Sequence, residues 1–302
     1  MTVLTSHQTG EPPFGRLLTA MVTPFDSDGE LDLPTARALA AHLVDDLGHD
    51  GLVVNGTTGE APTTTDAEKA ALVTAVVDEV GDRARIVAGV GTNDTRHTVE
   101  LARQAADAGA HGLLVVAPYY SKPPQSGLLV HFRTVADATD LPVVIYDIPK
   151  RAGIPVETDT LLALARHPRI VAVKDAKGNI VESARVIRDS GLAYYSGDDA
   201  YTLPLLAVGG TGVVGTSTHF TGGLVRRLLD AWFAGDEQEA LAIHRRALDV
   251  FTGVFAAQGC SMVKAGLALQ GLPVGGLRPP QMLPEQSQID TFAATLRAAG
   301  LL

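Results

Sequence analysis

One lysine is singled out by its position. Ile170-Val171-Ala172-Val173 is a short, apolar, mostly β-branched run that reads as a buried strand, and it ends on Lys174-Asp175-Ala176. Charged side chains are seldom buried unless they are paired or used. An amine at the end of such a strand can attack a carbonyl carbon and form a Schiff base. A free lysine titrates at about 10.4, so at neutral pH on the order of one in a thousand is the nucleophilic amine. Apolar walls would raise that fraction by desolvation, and a close carboxylate would lower it. The competing reading is a rim lysine paired with Asp175, although consecutive strand residues face opposite sides.

Other residue types that could act on a small substrate recur just after apolar runs. Asn55-Gly56-Thr57-Thr58-Gly59-Glu60 places two hydroxyls between two glycines on a tight turn. Exposed N–H groups and hydroxyls of that kind suit a carboxylate or a phosphate, although an ordinary polar turn would look similar. Tyr119 and Tyr120 lie in a proline-rich loop, where a phenol serves as an acid or plugs an interface. Tyr146 closes Val143-Val144-Ile145, so its hydroxyl could reach a pocket at the strand end. Arg151 follows shortly after, and its fork suits a substrate carboxylate or a surface ion pair.

Metal chemistry has little support, and none is expected. The nine histidines are scattered without ligand spacing, and Cys260 is the single cysteine. His42, His97, His131, His167 and His244 fall in stretches of helical pattern and are expected to be solvated or capping. No Gly-x-Ser-x-Gly elbow and no phosphate-loop motif occurs, and no organic cofactor is expected.

The surrounding pattern must hold these groups in place. Strand-like runs at Leu17–Val22, Gly51–Val54, Ile86–Ala88, Gly112–Val116, Pro142–Tyr146, Ile170–Lys174, Ala193–Ser196 and Gly212–Gly215 alternate with helical periodicity. Asp32 offers an N-cap, Thr65 with Glu68 has capping-box spacing, and Gly81 can end the second helix. Further helices fit 95–108, 127–138, 158–166, 180–190, 200–208 and 224–234. Eight such units predict an α/β fold, a (β/α)8 TIM barrel. An open doubly wound sheet would show a Gly-x-Gly-x-x-Gly turn, and Gly89-Val90-Gly91 lacks its third glycine. After Ala234 the strand pattern stops, leaving a C-terminal helical extension. The expected organisation is a loosely ordered leader over 1–15, a catalytic barrel over 16–235 and a helical region over 236–302.

Composition narrows the class. The chain has 302 residues, 46% of them hydrophobic, ample for a core. A formal charge of −10 argues against nucleic acid and anionic membranes as partners. A lone cysteine permits no intrachain disulfide and fits a reducing compartment. No apolar run approaches the roughly 20 residues of a membrane span, and residues 1–15 lack a signal-peptide core, so the expected location is cytoplasmic.

Taken together, these motifs resemble the dihydrodipicolinate synthase family of pyruvate-dependent Schiff-base lyases, over about Leu17 to Leu302. The motifs are Gly56-Thr57-Thr58-Gly59-Glu60, Pro118-Tyr119-Tyr120, Tyr146-Asp147-Ile148-Pro149-Lys150-Arg151, Val173-Lys174-Asp175-Ala176 and Ser196-Gly197-Asp198-Asp199. The resemblance implies condensation of pyruvate with aspartate 4-semialdehyde, the first committed step of diaminopimelate and lysine biosynthesis. By the same resemblance Lys174 forms the imine, and Tyr146 moves protons at it. Thr57 and Thr58 hold the pyruvate carboxylate, and Thr57 passes protons between Tyr146 and Tyr120. Tyr120 crosses from a neighbouring subunit, so a homo-oligomer, by resemblance a tetramer, is expected. Arg151 receives the semialdehyde carboxylate, and Gly197 and Val214 line the pyruvate pocket.

Some positions depart from the family pattern. Asp147 stands where asparagine is common, and Gly215-Thr216-Ser217-Thr218-His219 replaces a more apolar ending. Ala61, Lys69 and His97 replace a serine, a histidine and a glutamate of lysine-inhibited relatives, so feedback by lysine is expected to be weak or absent. Three rivals remain: a sister aldolase for another aldehyde, a non-catalytic keto-acid sensor, and a phosphate-binding isomerase using Gly209-Gly210 and Gly222-Gly223.

Overall fold

The computed structural model describes residues 12–302. Eight parallel strands close on themselves in chain order: β1 (Leu17–Ala20), β2 (Gly51–Val54), β3 (Arg85–Gly89), β4 (Gly112–Val116), β5 (Val143–Asp147), β6 (Ile170–Asp175), β7 (Ala193–Ser196) and β8 (Gly212–Gly215), with β8 pairing β1. The first half of the helical ring is α1 (Leu33–Ala41), α2 (Asp66–Val80), α3 (Thr95–Asp107) and α4 (Gln125–Ala136). The second half is a single turn α5 (Pro149–Ala152), then α6 (Thr158–Leu164), α7 (Ile180–Ser190), α8 (Thr202–Ala207) and α9 (Thr218–Phe233). This is the (β/α)8 barrel, and the extension follows as α10 (Glu237–Gly253), α11 (Gly259–Leu269) and α12 (Gln286–Ala298).

Strand alternation sorts the core into two layers. Leu18, Ala20, Val53, Val87, Leu114, Val144, Ala172, Tyr195 and Val214 fill the barrel interior. Their chain neighbours, such as Leu52, Ile86, Val115, Ile145 and Val173, pack outward under the helices. Lys174 shares its parity with Ala172, and Tyr146 with Val144, so both point into the cylinder at its C-terminal end. The β5–β6 register sets Tyr146 directly opposite Lys174.

Several local expectations hold. The Asp32 carboxylate accepts from Thr35 N, the Thr65–Glu68 capping box forms, and α2 ends at Gly81. Others change. The leader expected over 1–15 lies largely outside the described residues. Phe14 within it is buried in the barrel interior, and a Cβ on Gly112 would strike its ring at 2.5 Å. Tyr195 secures that floor by donating to the Gly15 carbonyl at 2.9 Å.

The last barrel helix begins at Thr218 rather than near Leu224. Gly222-Gly223 reads as a break but lies inside α9, where a Cβ on Gly222 would sit 2.5 Å from His49 Cε1. That glycine serves close packing rather than a turn or a phosphate. His131 is likewise not solvated: it is buried, with Nδ1 2.9 Å from Thr95 Oγ1, and burial pushes its pKa down to about 4. The helix expected over 200–208 splits into a 3-10 turn, Asp199–Tyr201, and α8.

Candidate active site

The sequence-selected residues converge on the C-terminal mouth of the barrel. Lys174 is 4% exposed, and its Nζ lies 4.4 Å from the centroid of the Tyr146 ring. Burial pulls the lysine pKa down from 10.5 to about 8, and the Arg151 cation pushes the same way, while the Asp199 carboxylate opposes both. A drop of that size is on the order of 3 kcal/mol of differential interaction. It makes about a tenth of the side chain neutral at pH 7, on the order of a hundredfold more than in a free lysine. Asp175 does not oppose this. It faces outward, where Oδ1 accepts from Lys177 N at 2.8 Å and Oδ2 from the Ser183 hydroxyl.

Tyr146 is buried, and burial raises its pKa to about 12 against the pull of Arg151 and of the nearby Thr57 hydroxyl. The phenol is therefore a proton donor at neutral pH. Thr57, on the turn after β2, faces the open mouth, while Thr58 beside it is buried. Glycine at 197 leaves room for the nucleophile: a Cβ there would crowd Lys174 Cγ, Ala176 Cβ and the Asp175 carbonyl oxygen at 3.1 Å. Val214 completes the interior wall on β8.

Arg151 rides on α5, which the sequence pattern did not disclose because a four-residue turn has no periodicity. It is exposed at the rim, and its Nη2 donates to Gln258 Oε1 at 2.9 Å. The extension thus reaches the mouth. Tyr120 stands apart from the other groups. It is 89% exposed, with a left-handed φ of 71°.

Asp199 was part of a motif but carried no expected role. It is fully buried, accepts from Thr216 N at 3.0 Å and Ser217 Oγ at 2.8 Å, and acts on Lys174 through its charge. This also accounts for the polar ending of β8. Thr19 Oγ1 donates to Thr218 Oγ1 at 2.7 Å, and Val22 N donates to His219 Nε2 at 3.3 Å. The departure from an apolar pattern ties β8 to β1 and β7, and its signal was the run of hydroxyls itself. Among the described residues no cluster of three or more His, Cys, Asp or Glu could hold a metal ion, and no helix is long and apolar enough to cross a membrane.

Comparison with known proteins bears on this geometry. Residues 13–299 match the model of the Dihydrodipicolinate synthetase family. The sequence is 63% identical to the 4-hydroxy-tetrahydrodipicolinate synthase of Cutibacterium acnes over 94% of this chain and 97% of that protein. It is 60% identical to 4-hydroxy-tetrahydrodipicolinate synthase 2 of Streptomyces coelicolor over 97% and 98%. The fold superposes on the crystal structure of the Cyanidioschyzon merolae enzyme with lysine bound at a TM-score of 0.94 and 42% identity, covering 97% of this chain and all of that one. It also matches the chloride-inhibited dihydrodipicolinate synthase of Acinetobacter baumannii complexed with pyruvate, at 0.92 and 31%, over 95% and 99%.

Proposed function

The chain belongs to the dihydrodipicolinate synthetase family, and from that premise we propose which of its residues carry the family's reaction. The enzyme condenses pyruvate with aspartate 4-semialdehyde to 4-hydroxy-tetrahydrodipicolinate, a lyase-class step of lysine and diaminopimelate biosynthesis. The observation that carries the residue assignment is a buried amine, largely desolvated, facing a protonated phenol across one strand pair.

The neutral Lys174 amine attacks the keto carbon of pyruvate, and the resulting carbinolamine loses water as Tyr146 protonates the departing hydroxyl. The Tyr146 phenolate takes up a methyl proton to give the enamine, whose carbon attacks the semialdehyde aldehyde. The new alkoxide takes that proton back from the phenol. The semialdehyde's own amine then displaces the Lys174 amine from the imine carbon, closing the ring and freeing the enzyme. Thr57 and Thr58 bind the pyruvate carboxylate, with Thr57 linking Tyr146 to the proton relay. Gly197 and Val214 shape the keto-acid pocket. Arg151 at the rim receives the carboxylate of the semialdehyde, with Gln258 aligning its guanidinium.

Tyr120 acts in a neighbouring subunit, which makes the active unit a homo-oligomer, a tetramer by family likeness. A phenol 89% exposed on a left-handed loop residue, far more open than Tyr146, supports that reading. The barrel over 16–235 carries the chemistry, and 236–302 is an appendix to it rather than a second catalytic unit. We place the enzyme in the cytoplasm. Steady-state assays with the semialdehyde and with sugar-derived aldehydes test the substrate. Turnover confined to a polyhydroxy aldehyde would overturn it.

A further inference from the structure

Behind the Asn55–Glu60 turn lies a buried charge pair that the reaction does not use. Glu60 Oε1 and Lys264 Nζ are 2.8 Å apart, with side chains 1% and 0% exposed. The contact is a buried ion pair. Lys264 Nζ donates to the Gly276 carbonyl and lies 4.4 Å from the Phe25 ring centroid. Glu60 Oε2 accepts from Arg278 N at 3.1 Å. Lys264 belongs to α11, and Gly276 and Arg278 to the segment that follows it. The contact therefore joins the helical extension to the turn that carries Thr57 and Thr58.

That turn is left-handed at both ends. Asn55 and Glu60 have φ values of 57° and 54°, a conformation that asparagine tolerates and that glutamate keeps only where its surroundings impose it. Asn55 is imposed upon by its own side chain, whose Nδ2 donates to the Lys69 carbonyl at 3.0 Å. Glu60 is imposed upon by Lys264 and Arg278. Its backbone N–H then donates to the Thr57 carbonyl at 3.2 Å, and the Gly59 carbonyl accepts from Thr23 Oγ1 at 2.6 Å. An anchor on the Glu60 carboxylate thus fixes, through one backbone bond, the residue that opens onto the substrate.

We infer that Lys264 is a positioning residue: paired with Glu60, it holds the turn so that Thr57 and Thr58 present their donors to the pyruvate carboxylate. This rests on the assignment of that turn to pyruvate given above. A buried carboxylate without its cation is driven toward water, and here it could move only by releasing the left-handed backbone of Glu60.

The test measures KM for each substrate and kcat in full-length Lys264→Met, Glu60→Ala and the double variant Glu60→Gln/Lys264→Met. Lys264→Met should raise KM for pyruvate at least tenfold and lower kcat as well, because Thr57 also serves the proton relay, with the semialdehyde KM within about twofold. The double variant has no charge to expel, and its pyruvate KM should return to within about threefold of the parent. Glu60→Ala removes the anchor while leaving Lys264 its Gly276 carbonyl, and should reproduce the pyruvate KM rise even if Lys264→Met fails to fold. A pyruvate KM unmoved in folded Glu60→Ala or Lys264→Met overturns the inference. So does a loss confined to kcat, or a double variant no better than the single. Borohydride trapping of the parent separates the two layers. A parent without a pyruvate adduct sinks the assignment of the turn, whereas an adduct with unchanged KM values in the variants sinks only the positioning role.

Discussion

Lys174 and Tyr146 are partners in the β5–β6 register, with the lysine nitrogen 4.4 Å above the tyrosine ring. The ring face and Asp199 favour the ammonium, while burial and Arg151 favour the amine. Burial wins, and the balance settles near 8. The rate of imine formation in the free enzyme should therefore rise with pH and level off above about 8. Arg151→Met removes a charge that favours the amine, so its limb should move to higher pH. Asp199→Asn removes one that opposes it and should move the limb lower. Rapid-mixing kinetics of pyruvate uptake across pH 6 to 10 checks both signs.

Removing the phenol alone should leave the fold intact and the chemistry slow. General acid–base groups contribute about 10²- to 10⁴-fold, so Tyr146→Phe should lower kcat by at least about a hundredfold. Tyr120→Phe should also lower turnover, yet pyruvate should still be captured. Comparing kcat with single-turnover imine formation distinguishes the two. Sedimentation of the parent tests the subunit association that the Tyr120 assignment requires.

Space beside the nucleophile is as necessary as its charge state. A methyl at position 197 would meet Lys174 Cγ and the Asp175 carbonyl at 3.1 Å, and the carbonyl belongs to a strand that cannot give way easily. Gly197→Ala should slow imine formation at least tenfold while shifting Tm by no more than a few degrees. Unimpaired imine formation would mean that the lysine side chain can be displaced without cost.

Acid should destabilise the protein earlier than its carboxylates alone would. His49, His131 and His219 are buried and neutral, with burial pushing their pKa values down to about 3, 4 and 4 from 6.5. Above pH 6.5 they are neutral folded and unfolded, and cost nothing. Below it the unfolded chain takes up protons first, at about 1.4 kcal/mol per pH unit for each histidine. The loss runs from pH 6.5 down to about 4 for His131 and His219, and on toward 3 for His49. Glu68, held near 2 by Arg278, adds to it below 4.5. Thermal scans should show Tm falling steeply between pH 6.5 and 4, and His131→Gln should flatten that slope.

Regulation by lysine should be weak. Lys69 donates its ammonium to the Thr64 carbonyl, and His97 Nε2 lies 2.8 Å from Asp66 Oδ2, where lysine-inhibited relatives are expected to carry a histidine and a glutamate. A bound lysine would meet an added cation and lack its acidic partner. Isothermal titration with L-lysine should give a dissociation constant above the millimolar range. A submicromolar to submillimolar value contradicts this.

Much of this was legible because the side-chain period along a strand is fixed. Once Ile170–Val173 is a barrel strand, Lys174 must share a face with Ala172, and Tyr146 with Val144. What stayed hidden were relations between distant segments. Nothing local marks Asp199 as a neighbour of Lys174, Phe14 as the barrel floor, or Lys264 as the partner of Glu60. The glycine pair in α9 shows the same limit: local propensity favours a break there, and the close approach of His49 shows what the glycine serves inside the helix.

Capture of pyruvate by the Lys174 amine is read out by intact-protein and peptide mass spectrometry after borohydride reduction with pyruvate. One reduced pyruvate adduct per chain should form, on Lys174, and it should be absent in Lys174→Ala. An unmodified parent protein, or an adduct that persists in the variant, would contradict it.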